Sequence, residues 1–304
     1  MIETLKKIIW RLIFIPYYRF IYYRTKSDRM NLYILNSVET VLYIIKNKCS
    51  VCRYGDGEFQ MITHYLNNNN EASFHVDTFQ KYSAKLASRL IEVFKSKNNK
   101  VLICIPYSFK DSSVYRGYER TFFERDWLFR KSFILQERNQ LFGDSCFTRF
   151  FLKRTDINVK SYIALLKSIW NNRNILIVEG KQSRLGVGND LFENAVSVKR
   201  ILCPVTNAFD KYSEILSEVQ KYSKEYLCLL ALGHTATVLA FDLSDSGYQA
   251  IDIGHIDVEY EWYLMGAKEK VPIPNRYVNE VKEGRIYSDL KDDLYNRQII
   301  AIIE

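Results

Sequence analysis

Several familiar signatures are missing from this chain of 304 residues. Its six cysteines are Cys49, Cys52, Cys104, Cys146, Cys203 and Cys228. Cys49 and Cys52 form a lone C-x-x-C, and no second pair or histidine pair stands at zinc spacing. Most of the cysteines fall in apolar, strand-like runs, where a thiol behaves as a small hydrophobe. That favours structural cysteines over redox or zinc use and suits a reduced, cytoplasmic setting. No Walker A loop and no dinucleotide fingerprint occurs, and no internal repeat is apparent. The apolar run of residues 8–23 is broken by Arg11, Pro16 and Arg19, so it is a poor membrane-spanning helix. It also lacks the small-residue cleavage site of a signal peptide.

The charge is equally uneven. The formal net charge is +8, yet residues 1–30 hold Lys6, Lys7, Arg11, Arg19, Arg24, Lys26 and Arg29 against only Glu3 and Asp28. Little basic excess remains for the rest, which argues against a nucleic-acid groove and predicts no nucleic-acid partner. Aromatic residues interleave with these N-terminal cations. Such a segment suits the headgroup layer of an anionic membrane, at the inner face of the plasma membrane. A helix packed on the domain or on a partner subunit is the other reading.

What the chain does have is centred on Cys52-Arg53-Tyr54-Gly55-Asp56-Gly57-Glu58, between an apolar run and a helical one. Glycine lets the backbone bend and approach a ligand. Asp56 and Glu58 offer hard oxygens of the kind that hold Mg²⁺ or Mn²⁺ beside a phosphate. Arg53 adds a forked cation. A Gly-rich turn with solvated acids fits the same spacing. Helical spacing is read over 31–46, 58–66, 77–96, 119–137, 160–171, 208–222 and 235–245, with another helix from Asp257. Strands are read at 49–53, 101–105, 175–178, 200–203, 226–232 and 249–253. Continuous apolar strands alternating with amphipathic helices predict a mostly parallel α/β sheet with helices on both faces. Three parts are expected: the basic aromatic segment 1–30, a domain over 31–267 and a C-terminal extension over 268–304. Within that extension, residues 299–303 read as an edge strand or a docking segment.

In such a sheet, ligands bind beyond the carboxyl ends of the strands. Four segments fall there: the Asp56 turn, the loop from Glu179 to Asp190, Gly233-His234-Thr235-Ala236-Thr237, and Asp252-Ile253-Gly254-His255-Ile256-Asp257. In the long loop, Ser183, Arg184, Gly186 and Gly188 suit a diphosphate, although a surface loop with a structural Arg–Asp pair is the plain alternative. Thr235 and Thr237 open a helix, where free amides and hydroxyls meet, or serve as a cap. His255 lies in a turn between acids and is a candidate third metal ligand.

These residues together resemble the GT-D-type glycosyltransferase family. The resemblance runs through Arg53–Glu58, Val178–Gly180, Ser183–Phe192, Leu232–Ala240 and Ile251–Asp257, and covers roughly residues 35–265. It implies a Rossmann-like fold, a UDP-sugar donor and a divalent metal, Mn²⁺ or Mg²⁺, at Asp56 and Glu58. Proline usually stands where this chain has His234. The expected activity is transfer of a hexose to a glycan acceptor, lipid-linked or on protein, in bacterial surface polysaccharide or glycoprotein assembly. Arg53, Gly55, Glu179, Ser183, Arg184, Gly186, Gly188, Asp190, Thr235 and Thr237 are the expected substrate contacts. Asp252 and Asp257 are the candidate bases. Another phosphate-handling transferase, or a non-catalytic subunit of a polysaccharide assembly complex, fits the same features.

Overall fold

The structure is a computed structural model that describes residues 9–68, 79–285 and 291–304. A π-helical turn, Trp10–Phe14, leads into α1 (Ile15–Arg24) and α2 (Lys26–Met30). There follow β1 (Tyr33–Ile34), α3 (Ser37–Asn47), β2 (Ser50–Arg53), α4 (Asp56–Leu66), α5 (Ala84–Lys95), β3 (Val101–Ile105), α6 (Gly117–Ile134) and β4 (Leu141–Asp144). The second half holds α7 (Val159–Lys167), β5 (Asn174–Gly180), β6 (Ser197–Cys203), α8 (Tyr212–Val219), β7 (Leu227–Ala231), α9 (His234–Asp245), β8 (Gln249–Asp252) and α10 (Ile256–Leu264). It closes with α11 (Asp293–Gln298) and β9 (Ile299–Ile302).

The nine strands form one sheet in the order β1-β4-β3-β2-β8-β7-β5-β6-β9. Every pairing is parallel. Alternate residues of each central strand enter opposite cores, as the period-two geometry of a strand requires. Cys52, Ile103, Leu176, Val178, Cys228 and Leu230 face one side, with Phe59 of α4, Leu86 of α5, Trp127 of α6 and Val238 of α9. Val51, Leu102, Ile175, Ile177, Leu227 and Ile251 face the other, with Ile44 of α3, Leu166 of α7 and Ile256 of α10. Burial on both faces explains why these strands read as unbroken apolar runs. All six cysteines are buried, free thiols.

The expected α/β parallel sheet is therefore present, with element boundaries close to those predicted. Several features differ, and the helix read over 31–46 begins only at Ser37, where Asn36 caps it by accepting from the Glu39 amide, with residues 33–34 in a strand instead. β1 and β4 were not foreseen. β1 has two residues, and β4 is Leu-Phe-Gly-Asp, too short and mixed to stand out. The helix expected over 77–96 begins at Ala84, where Ser83 caps it by accepting from the Leu86 amide; residues 77 and 78 lie outside the described residues. Of the two readings of residues 299–303, the edge strand is the one present: residues 299–302 form β9, paired with β6.

The chain leaves adjacent strands in opposite directions at two places. From β2 it proceeds toward the β1 edge, and from β8 toward the β9 edge. The same divergence occurs between β7 and β5. Such switch points open crevices at the carboxyl ends of the strands. All four predicted segments lie at these ends.

Candidate active site

Asp56 and Glu58 occupy the first turn of α4, directly after β2. Glu58 serves partly as a cap, since its Oε2 accepts from the Gly55 amide at 2.8 Å. Asp56 is exposed, and no described residue donates to its carboxylate. One whole carboxylate and one further oxygen are thus left at a helix N-terminus, beside the β2–β8 crevice. Among the described residues no group of three His, Cys, Asp or Glu stands together as a ready cation cage. The protein atoms therefore offer an incomplete, hard-oxygen donor set. His255 Nδ1 lies 3.9 Å from Glu280 Oε1. Glu280 also pairs with Arg149 at 2.6 Å and Lys270 at 2.6 Å.

Arg53 braces the crevice. Its Nη2 lies 3.1 Å from Asp252 Oδ1, and its Nη1 donates to Thr148 Oγ1 at 2.8 Å and to the Ser145 carbonyl at 3.2 Å. One guanidinium thereby ties β2, β8 and the loop after β4 together. The space for it exists because residue 254 is glycine: a Cβ there would lie 2.8 Å from Arg53 Cζ, at a backbone φ of +46°. Asp252 is buried and also accepts from the Gly254 amide at 3.1 Å. Burial pushes its carboxyl up to about 6, Arg53 opposes this, and the neighbouring Glu58 charge reinforces it. Thr237 donates to the Arg53 carbonyl at 2.9 Å, so its hydroxyl joins α9 to β2. The Thr235 hydroxyl stands 3.4 Å from Gln80 Oε1.

His234, the first residue of α9, is buried and lies against Gly57, between the two acids of the Asp-Gly-Glu turn. Its Nδ1 has no hydrogen-bond partner among the described residues. Nothing in the local sequence of either segment announced this contact.

The 179–190 loop folds back on the protein. Glu179 is fully buried; its Oε2 accepts from the Leu185 amide at 2.8 Å and its Oε1 from Arg200 at 2.5 Å. Ser183 closes a turn, its amide donating to the Gly180 carbonyl at 2.8 Å. Arg184 is buried, with φ +51°, and donates to the Asn275 carbonyl at 2.6 Å. Asp257 accepts from the Gly186 amide at 2.8 Å and from Asn189 at 2.9 Å, and it pairs with Arg276. Arg276 also reaches Glu261 at 2.8 Å and the Arg184 carbonyl at 2.9 Å. Asp257 is thereby committed to holding the loop. Asp190 points away, toward Lys167 at 2.6 Å and the Tyr260 hydroxyl at 2.5 Å, and those two donors hold its carboxyl down to about 2. Gly188 is the open point of the loop: φ is +77° and a Cβ there would meet nothing.

The structure thus brings Arg53, Gly55, Asp56, Glu58, Thr237 and Asp252 into one crevice. Glu179, Arg184, Gly186 and Asp257 form the scaffold of the neighbouring loop. Sequence reasoning missed His234 as the neighbour of Gly57, Thr148 as a partner of Arg53, and Arg200 and Arg276 as loop anchors. All come from distant segments with no local motif.

A parallel sheet with acids on the first helical turn at a switch point defines a Rossmann-like α/β protein with its candidate site at the carboxyl ends of the strands. Comparison with known proteins narrows the class. The model of the glycosyltransferase GT-D fold matches residues 51–281. Glycosyltransferase GlyD of Streptococcus pneumoniae serotype 4 is 36% identical over 272 residues, covering 87% of this chain and 32% of that protein. The probable glycosyl transferase Gly of Streptococcus gordonii is 33% identical over 285 residues, 91% of this chain and 39% of that protein. The chain thus spans about a third of the length of these curated relatives. A solved structure described as the highly conserved domain of unknown function 1792 with a distinct glycosyltransferase fold superposes with a TM-score of 0.83 at 38% identity, covering 93% of this chain and all (100%) of that one. A new glycosyltransferase from Streptococcus sanguinis superposes at 0.77 with 31% identity, over 90% of this chain and 100% of that one. The chain belongs to the GT-D glycosyltransferase family. Glycosyl transfer is the reaction class those names carry.

Proposed function

We propose that this protein moves a hexose from a UDP-sugar to a glycan acceptor, with a divalent cation at Asp56 and Glu58, Mn²⁺ ahead of Mg²⁺. The observation that carries the reading is the pair of acids on the first turn of α4, one of them without a described partner, at the mouth of the β2–β8 crevice. Two carboxylates make a partial set of hard ligands, which diphosphate oxygens complete in sites of this kind. When bound, the cation supplies charge neutralisation for a departing nucleoside diphosphate.

The chain's own residues do the rest. The amides of the first turn of α4 present a positive dipole end to phosphate. Arg53 keeps Asp252 and the loop after β4 in fixed relation, so the crevice is preorganised rather than assembled on binding. Gly188 leaves backbone open to a ligand. Asp252 is the better placed of the two candidate bases: its Oδ2 has only a 3.5 Å contact with the Thr237 hydroxyl, whereas Asp257 pairs with Arg276 through one oxygen and holds the Gly186 amide and Asn189 with the other. In this reading the acceptor is a growing glycan, lipid-linked or on protein, in bacterial surface polysaccharide or glycoprotein assembly, and the work is done at the inner face of the plasma membrane.

The test is a thermal-shift and hydrolysis screen of nucleotide sugars with and without Mn²⁺. The expected result is a UDP-dependent shift that needs the metal and disappears in Asp56→Ala. Turnover of nucleoside triphosphates instead would favour another phosphate-handling transferase. Absence of any shift or turnover would favour a non-catalytic subunit.

A further inference from the structure

Two helices carry exposed aromatic and aliphatic side chains outside the candidate active site. α1 is fixed to the domain along one side. The Tyr22 hydroxyl donates to the Ser108 carbonyl at 3.2 Å, Arg19 pairs with Glu124 at 3.3 Å, and Trp127 Nε1 donates to Thr25 Oγ1 at 2.9 Å. Arg29 donates to the carbonyls of Tyr22 and Lys110. The helix is therefore held in place, and its opposite side is fixed outward. That side carries Leu12, 72% exposed, with Ile13, Tyr17, Phe20 and Tyr23. α6 extends the surface. The Arg125 guanidinium lies over the rings of both Trp10 and Phe122, the Tyr118 ring is 6.5 Å from Phe122, and Phe129 follows one turn later, 60% exposed.

We infer that this two-helix face rests on an anionic lipid bilayer. Scattered exposed apolar residues are ordinary, but a contiguous aromatic and aliphatic patch marks an interaction surface. The charge around it selects the occupant. Arg125 lies over two rings of the patch, Arg11, Arg24 and Lys26 are exposed on the same N-terminal segment, and Lys6 and Lys7 precede it in the sequence. Of the acids on α6, Glu124 is buried and turned inward to Arg19, Arg120 and Ser112, Asp126 is buried against Arg130, and Glu119 is half-buried. A second copy docked here would set like cations against each other, as a two-fold contact repeats the same patch on both sides. Anionic headgroups complement those cations, and amphipathic aromatic rings settle at that depth. No helix among the described residues is long and apolar enough to cross a membrane, so the contact is peripheral. The inference rests on the proposed reading only for placing a bilayer nearby. It differs from the sequence expectation in adding α6 to the N-terminal segment.

The test is co-sedimentation of the full chain with vesicles of phosphatidylcholine alone and of phosphatidylcholine mixed with phosphatidylglycerol. Binding is expected on the mixed vesicles only, and it weakens as salt rises. The double variant Leu12→Ser/Phe20→Ser and the single variant Phe129→Ser each lower vesicle affinity by about tenfold or more, since each removes apolar side chains from the lipid contact. Their melting temperatures stay unchanged because these side chains are exposed. A wild-type chain that stays in the supernatant with mixed vesicles overturns the inference. So does full binding by Phe129→Ser, which would confine the contact to the N-terminal segment. Light scattering that shows a dimer dispersed by Leu12→Ser/Phe20→Ser would put a second copy on the face instead. The UDP and Mn²⁺ thermal shift is measured on the same samples, so loss of donor binding and loss of lipid binding are read separately.

Discussion

Gly57 is the residue whose replacement most directly tests the site geometry. A Cβ at position 57 would fall inside van der Waals contact of His234 Nε2 and 2.9 Å from its Cε1. The imidazole is buried in the first turn of α9, so it has little room to yield. Overpacking of this kind costs about 1–3 kcal/mol. Gly57 does not have a positive φ, so alanine suits its helical backbone and by itself gains roughly 0.5–1 kcal/mol over glycine. The net effect of Gly57→Ala is therefore a loss of about 1–2 kcal/mol. In a His234→Ala background the obstruction is gone and the same substitution should stabilise. The sign inverts, and the coupling energy is about 2 kcal/mol. Urea denaturation of the four proteins of the cycle measures it. Calorimetric titration with Mn²⁺ and UDP then tells whether Gly57→Ala also displaces the flanking acids: affinity should fall in the single variant and return in the double. Additive stabilities, with a coupling below roughly 0.5 kcal/mol, would refute the claim that His234 is what requires glycine between the acids.

Three further outcomes are expected. Asp56→Ala, at an exposed position with no described hydrogen bond, should leave the denaturation midpoint unchanged while transfer falls by about 100-fold or more; a fall in stability of the same variant would mean that Asp56 is structural. Asp252 is protonated more readily in the folded chain, at about 6, than unfolded, near 3.9. The stability it contributes is present below the unfolded value and is lost as pH rises through about 6, so between pH 4 and 7 wild type should lose roughly 2–3 kcal/mol relative to Asp252→Asn; parallel stability curves for the two would contradict the raised value. Arg276→Ala strips the partner from buried Asp257 and from Glu261 and should cost about 3 kcal/mol, with proteolysis of the 184–189 loop as a second readout; a loop as resistant as in wild type would show that the Asp257–Arg276 pair does not hold it.

The unequal legibility of site and scaffold has a physical origin. Arg53, Asp56 and Glu58 were readable because the acids, the glycines and the strand end are contiguous, and a helix begins where they say it should. The same holds for the loops after β5, β7 and β8. By contrast, Asp257 looked as available as Asp252 on a one-dimensional reading. Only the fold brings Arg276, nineteen residues later, onto one carboxylate oxygen and the Gly186 amide onto the other. The order β1-β4-β3-β2-β8-β7-β5-β6-β9 was likewise beyond the sequence, because parallel strands buried on both faces carry no mark of their neighbours.

The sequence alone determined the alternation of apolar strands and amphipathic helices, the paired acids at a strand end, and the basic aromatic start of the chain. Local periodicity and local composition suffice for these. Tertiary structure decided which acids remain open to a ligand, which glycine a histidine requires, and that α6 joins α1 in one outward face. Each depends on side chains that lie far apart along the chain and meet only when the sheet closes around its switch points.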